Sequence, residues 1–129
     1  MVIKTANPGT MMTSYNYVNG VSTGEHYDLI TKVVRGEWKW DGVLESDWSE
    51  NINTAVMVNA GNNLHSCTPD ISDIEKSFAQ NMITREKLIE NATYIINVLM
   101  RTQASSLSES TIPTIVASNK LTCTDGNGT

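Results

Sequence analysis

The chain has 129 residues, enough for one ordinary domain, and 40% of them are apolar. Nine basic residues against fourteen acidic ones leave a formal net charge of -5, and no basic cluster offers the footprint that nucleic-acid binding requires. No apolar run approaches the roughly 20 residues of a membrane-spanning helix, and the two cysteines, Cys67 and Cys123, have no metal-ligand spacing and assign no compartment.

Residues 1 to 10 read as the end of one element followed by a turn, because Asn7, Pro8 and Gly9 are turn formers. "TMMTSYN" follows as a short strand, and "NGVSTGE", punctuated by Gly20 and Gly24, reads as a loop. "HYDLITKVVRGEW" places Leu29, Ile30, Val33 and Val34 at helical spacing, with Gly36 ending or kinking the helix. The Asp41-Gly42 turn leads into a second strand, "WDGVLESD". "SENINTAVMVNAG" is predicted as a helix with Ser49 as N-cap, apolar positions at Ile52, Ala55, Val56 and Val58, and Gly61 at its end. "NNLHSC" is a candidate third strand.

Two more helices follow. Asp70 caps "ISDIEKSFAQ", with Ile71, Ile74 and Phe78 on one face. Thr84 caps "REKLIENATYIINVLM", with Leu88, Ile89, Ala92, Ile95, Ile96 and Leu99 facing inward. From Thr102 onward serine and threonine dominate, so 103–129 reads as a polar, weakly structured tail in which "IPTIVAS" could add one strand. Strands alternating with helices imply parallel pairing through right-handed crossovers, with chemistry at the carboxyl ends of the strands. "SYN" and "SDW" both fall at such ends.

The segments "MTSYNYVNG", "LITKVVRGEWKWDGVLESDW" and "AGNNL", in this order and spacing, resemble glycoside hydrolase family 3, over about residues 3 to 101. The family's usual "AGxDL" has Asn63 here in the place of the acid, and "HSC" departs from the usual Met-Pro-Gly. The resemblance implies an α/β fold: a partial TIM-type (β/α)8 barrel over 1–102, comprising about its last three βα units, with parallel strands and flanking helices. A closed barrel needs about 250 residues, so the chain is expected to be a fragment. The general acid/base would come from outside it.

For function the resemblance implies a retaining, exo-acting, β-glucosidase-like hydrolase acting on a small glycoside or oligosaccharide, without metal or cofactor. Asp47 matches the family nucleophile, which must be ionised to attack the anomeric carbon. Tyr15 matches a tyrosine whose hydroxyl lies beside that nucleophile, Trp48 an aromatic lining the sugar pocket, and Met12 a residue of the pocket wall. Ordinary readings stand beside these: a helix cap for Asp47, packing for Tyr15 and Trp48, core filling for Met12, and structural roles for His26 and His65. Glu45 lies two residues before Asp47, deeper in the strand, and is not assigned as the acid. The alternative function is a non-catalytic sugar-binding or structural remnant. An open strand edge predicts self-association.

Overall fold

A computed structural model describes residues 2–48, 52–66 and 71–102. Ser49, Asp70, both cysteines and the whole of 103–129 lie outside these residues, so the caps assigned to Ser49 and Asp70 and the reading of the tail are not addressed by it. The described elements run α1 (Val2–Ala6), β1 (Thr10–Met12), β2 (Tyr17–Val18), β3 (Val21–Ser22), a 3-10 turn (Thr23–Glu25), a π-helix (Asp28–Glu37), β4 (Val43–Glu45), α2 (Thr54–Ala60), α3 (Ile71–Ala79) and α4 (Arg85–Met100).

The organising contact is the parallel pair β1–β4, in the register Thr10↔Val43, Met11↔Leu44 and Met12↔Glu45. A parallel bridge from Glu45 to Leu64 adds a third line of backbone, which is all that forms of the strand expected at "NNLHSC". The connections between parallel strands are helical, as such pairing requires. Successive side chains alternate across the sheet. Met11 and Leu44 therefore share one face, where Leu44 joins a core of Ile30, Val34, Trp40 and Ala60 with Ile3, Met11 and Trp38 packed against it. A second core of Ala55, Met57, Val58 and Ile83 joins α2 to the helices beyond, with Ile52, Ile74 and Leu88 around it.

The helix expected from Leu29, Ile30, Val33 and Val34 forms with a wider winding. The Trp38 N–H donates to the Val33 carbonyl five residues back, at 2.9 Å, the pattern of a π-helix. Gly36 does not end it, and the turn instead breaks after Glu37, where Lys39 takes a left-handed φ of 55°. At Gly42 a Cβ would meet the Trp40 ring and, at 2.6 Å, the Gly9 carbonyl. Close approach therefore explains this glycine better than a turn does.

Three local expectations are corrected. The "NGVSTGE" loop begins inside a hairpin, because Asn19 and Gly20 at φ 51° and 79° join β2 to β3; Asn-Gly between strand formers is the sequence signal for such a turn. α2 starts at Thr54, where the Asn53 side chain accepts from the Ala55 and Val56 N–H groups at 3.0 and 3.2 Å, while Gly61 ends it in the left-handed region as expected. Inward faces are also rotated. On α4, Ile89, Ala92, Ile96 and Leu99 are exposed and Asn91 is buried; on α3, Ser77 is buried while Ile71 and Phe78 are exposed. Asn91 turns inward because partners await it: it donates to the Val58 carbonyl at 2.9 Å and accepts from Asn63 at 2.7 Å.

Candidate active site at the carboxyl end of β4

The backbone ahead of Asp47 is fixed from both sides. Toward β1, the Glu45 carbonyl accepts from the Thr13 N–H at 2.8 Å and the Thr13 hydroxyl at 3.2 Å. Toward the Leu64 segment, the Ser46 N–H donates to the Leu64 carbonyl at 2.8 Å, and the Ser66 N–H donates to the Ser46 hydroxyl at 3.0 Å. Ser46 is 0% exposed, and its hydroxyl donates to the Asp47 carbonyl at 3.1 Å. A sealed residue bonded in this way leaves Asp47 little freedom of position. Thr13 and Ser46 are the two positioning residues that the sequence reading missed. Each stands one residue beyond the end of a paired strand, a position that does not by itself name the carbonyl a hydroxyl will meet.

Asp47 is half-buried, and its carboxylate accepts from the N–H of Trp48 at 2.7 Å. It does not cap α2, whose first N–H groups are taken by Asn53. The register sets Met12, Glu45 and Leu64 in one row across the three lines of backbone, on the face opposite Leu44. Asp47 follows two residues beyond Glu45 at the carboxyl end. Met12 and Leu64 are 55% and 45% exposed, so this face of the sheet is uncovered.

Tyr15 and Trp48 are also exposed, each just past the end of one of the two paired strands. Tyr15 is held through its neighbours: the Ser14 N–H donates to the Thr23 hydroxyl at 3.0 Å, and the Asn16 carbonyl accepts from the Thr23 N–H at 3.1 Å. All four residues singled out from sequence thus come to one end of the sheet. His26 lies apart in a structural place, its Nδ1 accepting from the Leu29 N–H at 3.2 Å at the start of the π-helix. The Nε2 atoms of His26 and His65 are buried without a hydrogen-bond partner among the described residues.

Beneath the site, Arg35 clasps the entry to β4. Its guanidinium donates to the Trp40 and Gly42 carbonyls at 3.1 and 2.7 Å and to the Asn63 oxygen at 2.8 Å. It lies over the rings of Trp40 and Tyr94, at 4.9 and 4.0 Å from their centroids. Burial pushes its pKa below the usual value, while Tyr94 and Asp41 act the other way; an arginine keeps its charge regardless. The Asn63 oxygen also accepts from the Leu44 N–H at 2.9 Å. The departure seen at "AGNNL" thus falls on the group that meets the half-buried cation.

An α/β arrangement with a parallel sheet and helices on one side, with a carboxylate and two aromatics at the carboxyl ends of its strands, defines a class: the α/β proteins built on βα repeats. No protein-family model matches the sequence. Curated relatives do. An exo-α-(1→6)-L-arabinopyranosidase of Bifidobacterium longum is 35% identical over 106 residues, 81% of this chain and 14% of that protein. β-Glucosidase B of Emericella nidulans is 31% identical over 124 residues, 93% of this chain and 14% of its own length. Among solved structures, a family 3 β-glucosidase of Bifidobacterium adolescentis superposes with a TM-score of 0.72 at 31% identity, over 84% of this chain and 16% of that one. β-Glucosidase 3B of Thermotoga neapolitana, in complex with glycerol, does so with a TM-score of 0.73 at 27% identity, over 79% and 16%. In sequence and in fold the chain is kin to glycoside hydrolase family 3, and it spans about one seventh of the curated relatives it matches.

Proposed function

We propose that this chain is the part of a (β/α)8 barrel that carries the nucleophile of a retaining, exo-acting glycosidase of β-glucosidase type. The observation that carries this reading is the place of Asp47, at the carboxyl end of the middle line of the parallel sheet and held there through Ser46. The uncovered face bearing Met12, Glu45 and Leu64 supports it, because parallel sheets are covered on both faces and a barrel's further strands would enclose that face.

In this mechanism an Asp47 carboxylate oxygen attacks the anomeric carbon of a terminal sugar. The C–O bond to the leaving group breaks as an acid outside the described residues protonates the departing oxygen. Water then cleaves the glycosyl-aspartate ester and releases the sugar. The Tyr15 hydroxyl orients the carboxylate, the Trp48 indole covers an apolar sugar face, and Met12 contributes wall. Retention requires the acid about 5–5.5 Å from Asp47. Glu45, lower on the same strand and face, cannot reach the opposite side of a bound sugar. The chain alone therefore turns over glycosides weakly or not at all.

The test is covalent trapping. The purified chain is incubated with a 2-deoxy-2-fluoroglucoside bearing an activated leaving group, followed by intact mass and peptide mapping. A single adduct on Asp47, absent in Asp47→Asn, is the expected result. A folded chain that takes no label would instead be a non-catalytic sugar-binding remnant.

A further inference from the structure

Among the described residues β1 pairs with β4 on one side and with no strand on the other. The ladder shows which backbone groups lie along that other edge. The Val43 N–H donates to the Gly9 carbonyl and the Thr13 N–H to the Glu45 carbonyl, both at 2.8 Å. Hydrogen-bonding direction alternates along a strand, so Met11 also bonds toward β4, while Thr10 and Met12 turn their N–H and C=O groups to the outer edge. Such a row is a template for an added strand. A groove of about 250 Å³ runs beside it on the helix-covered face, lined largely by apolar side chains that include Ile3, Met11, Ile30, Val34 and Trp38.

The chain brings a segment of its own to this edge. α4 ends at the foot of β1 and β4: a Cβ on Gly9 would stand 3.5 Å from the Val98 Cγ1, and Arg101 donates to Asp41. The residues after Thr102 therefore set out from the amino end of β1, and a segment extended along β1 from there runs parallel to it. At about 3.3 Å per residue, 103–111 can span about 30 Å, well beyond the roughly 10 Å of β1. Next comes "IPTIVAS", the densest apolar and β-branched run of 103–129. Its proline sets the side that meets β1. Pro113 has no N–H and belongs on the outer side of an edge strand, which turns the backbone of Ile112, Thr114 and Val116 toward β1. In strands running the same way, residues that bond to the same side carry their side chains on the same face. Met11 bonds toward β4 and lines the groove, so Ile112, Thr114 and Val116, bonding in that same direction, face the groove too. The apolar pair Ile112 and Val116 thus meets apolar walls.

We infer that 112–118 adds to β1 as a parallel edge strand of the same chain, with Ile112 and Val116 seated in the groove. A short tether holds the segment at an effective concentration on the order of mM, above that of a second copy in dilute solution. The added strand leaves the face bearing Met12 and Leu64 open. The test is hydrogen exchange on the full 129-residue chain, read at single amides by mass spectrometry. A segment docked about nine-tenths of the time slows exchange at the amides it covers by about tenfold. The expected result is exchange slower by that factor at Thr10 and Met12 in the native chain than in Ile112→Asp/Val116→Asp or in Thr114→Pro, which removes an N–H directed at β1. The difference holds at every protein concentration, and exchange across α2 is the same in all three chains. Equal exchange at Thr10 and Met12 in the native chain and both variants overturns the inference. Slowing that grows with protein concentration assigns the edge to a second copy, and slowing confined to 85–100 assigns the segment to the exposed face of α4; either outcome also overturns it.

Discussion

Arg35 shows how much of the site's support rests on one side chain. It gathers two carbonyls on the approach to β4, the amide that holds the Leu44 N–H, and two aromatic faces. A planar, forked donor serves this geometry and a point charge does not. Arg35→Lys is expected to cost about 1–3 kcal/mol of stability, read as a lower urea midpoint at unchanged slope. None of this was visible in periodicity, which placed Arg35 near the end of an amphipathic helix. The motif "RGEW" marked the residue, but its partners Asn63 and Tyr94 are distant in sequence, and only packing brings them in. Asp47, Tyr15, Trp48 and Met12 were singled out by the resemblance to the family's motifs, and local pattern added only that "SYN" and "SDW" fall at strand ends. Thr13 and Ser46 were not, since a hydroxyl after a strand says nothing of which carbonyl it will meet.

At the scale of elements, the sequence conveyed type better than extent. Apolar spacing located the π-helix, α2, α3 and α4, and Gly61 and Thr84 mark ends that hold in the structure: the Thr84 side chain accepts from the Lys87 N–H at 3.2 Å. The rotated faces of α3 and α4 were hidden because a polar residue turns inward only when an unpaired partner awaits it, as the Val58 carbonyl awaits Asn91. The start of α2 rests on Asn53. Asn53→Ala should lower stability by about 1 kcal/mol, measured by chemical denaturation, and Asn53→Asp should restore it. The far end of α4 is tied to the entry of β4 by Arg101, whose guanidinium donates to both carboxylate oxygens of Asp41. That hydrogen bond is the main cause of a lowered Asp41 pKa. An unfolded aspartate titrates near 3.9, so this contribution is fully present above about pH 4 and is lost as pH falls through the depressed folded value. Denaturation midpoints of the native chain and of Arg101→Gln, compared against pH, should differ at neutrality and converge in acid. A gap that persists in acid contradicts the assignment.

For the whole molecule, the uncovered face and the side of β1 that no strand among the described residues pairs are the governing facts. Met11 faces the helices and pairs in register with Leu44, whereas Met12 is exposed on the other face of a strand that is at the sheet's edge among the described residues. Edge strands and uncovered apolar surface recruit further chains. We expect sedimentation velocity to show association that grows with concentration, and Met12→Lys to reduce it, because a charge on an edge strand opposes pairing. A monomeric chain that melts sharply would contradict this.

The order of the contacts also bears on how the chain is made. β1 meets β4 across the π-helix, and Leu64 follows next along the chain, so each early contact joins neighbours in synthesis. The Asp41–Arg101 tie spans 60 residues and can form only once Arg101 has been made. Translation proceeds at about 5–20 residues per second, so some seconds separate the making of Gly42 from that of Asn63, and later of Tyr94, which complete the surroundings of Arg35. During that interval Arg35 lacks its acceptor on Asn63, and a pause in translation between Gly42 and Asn63 would lengthen it.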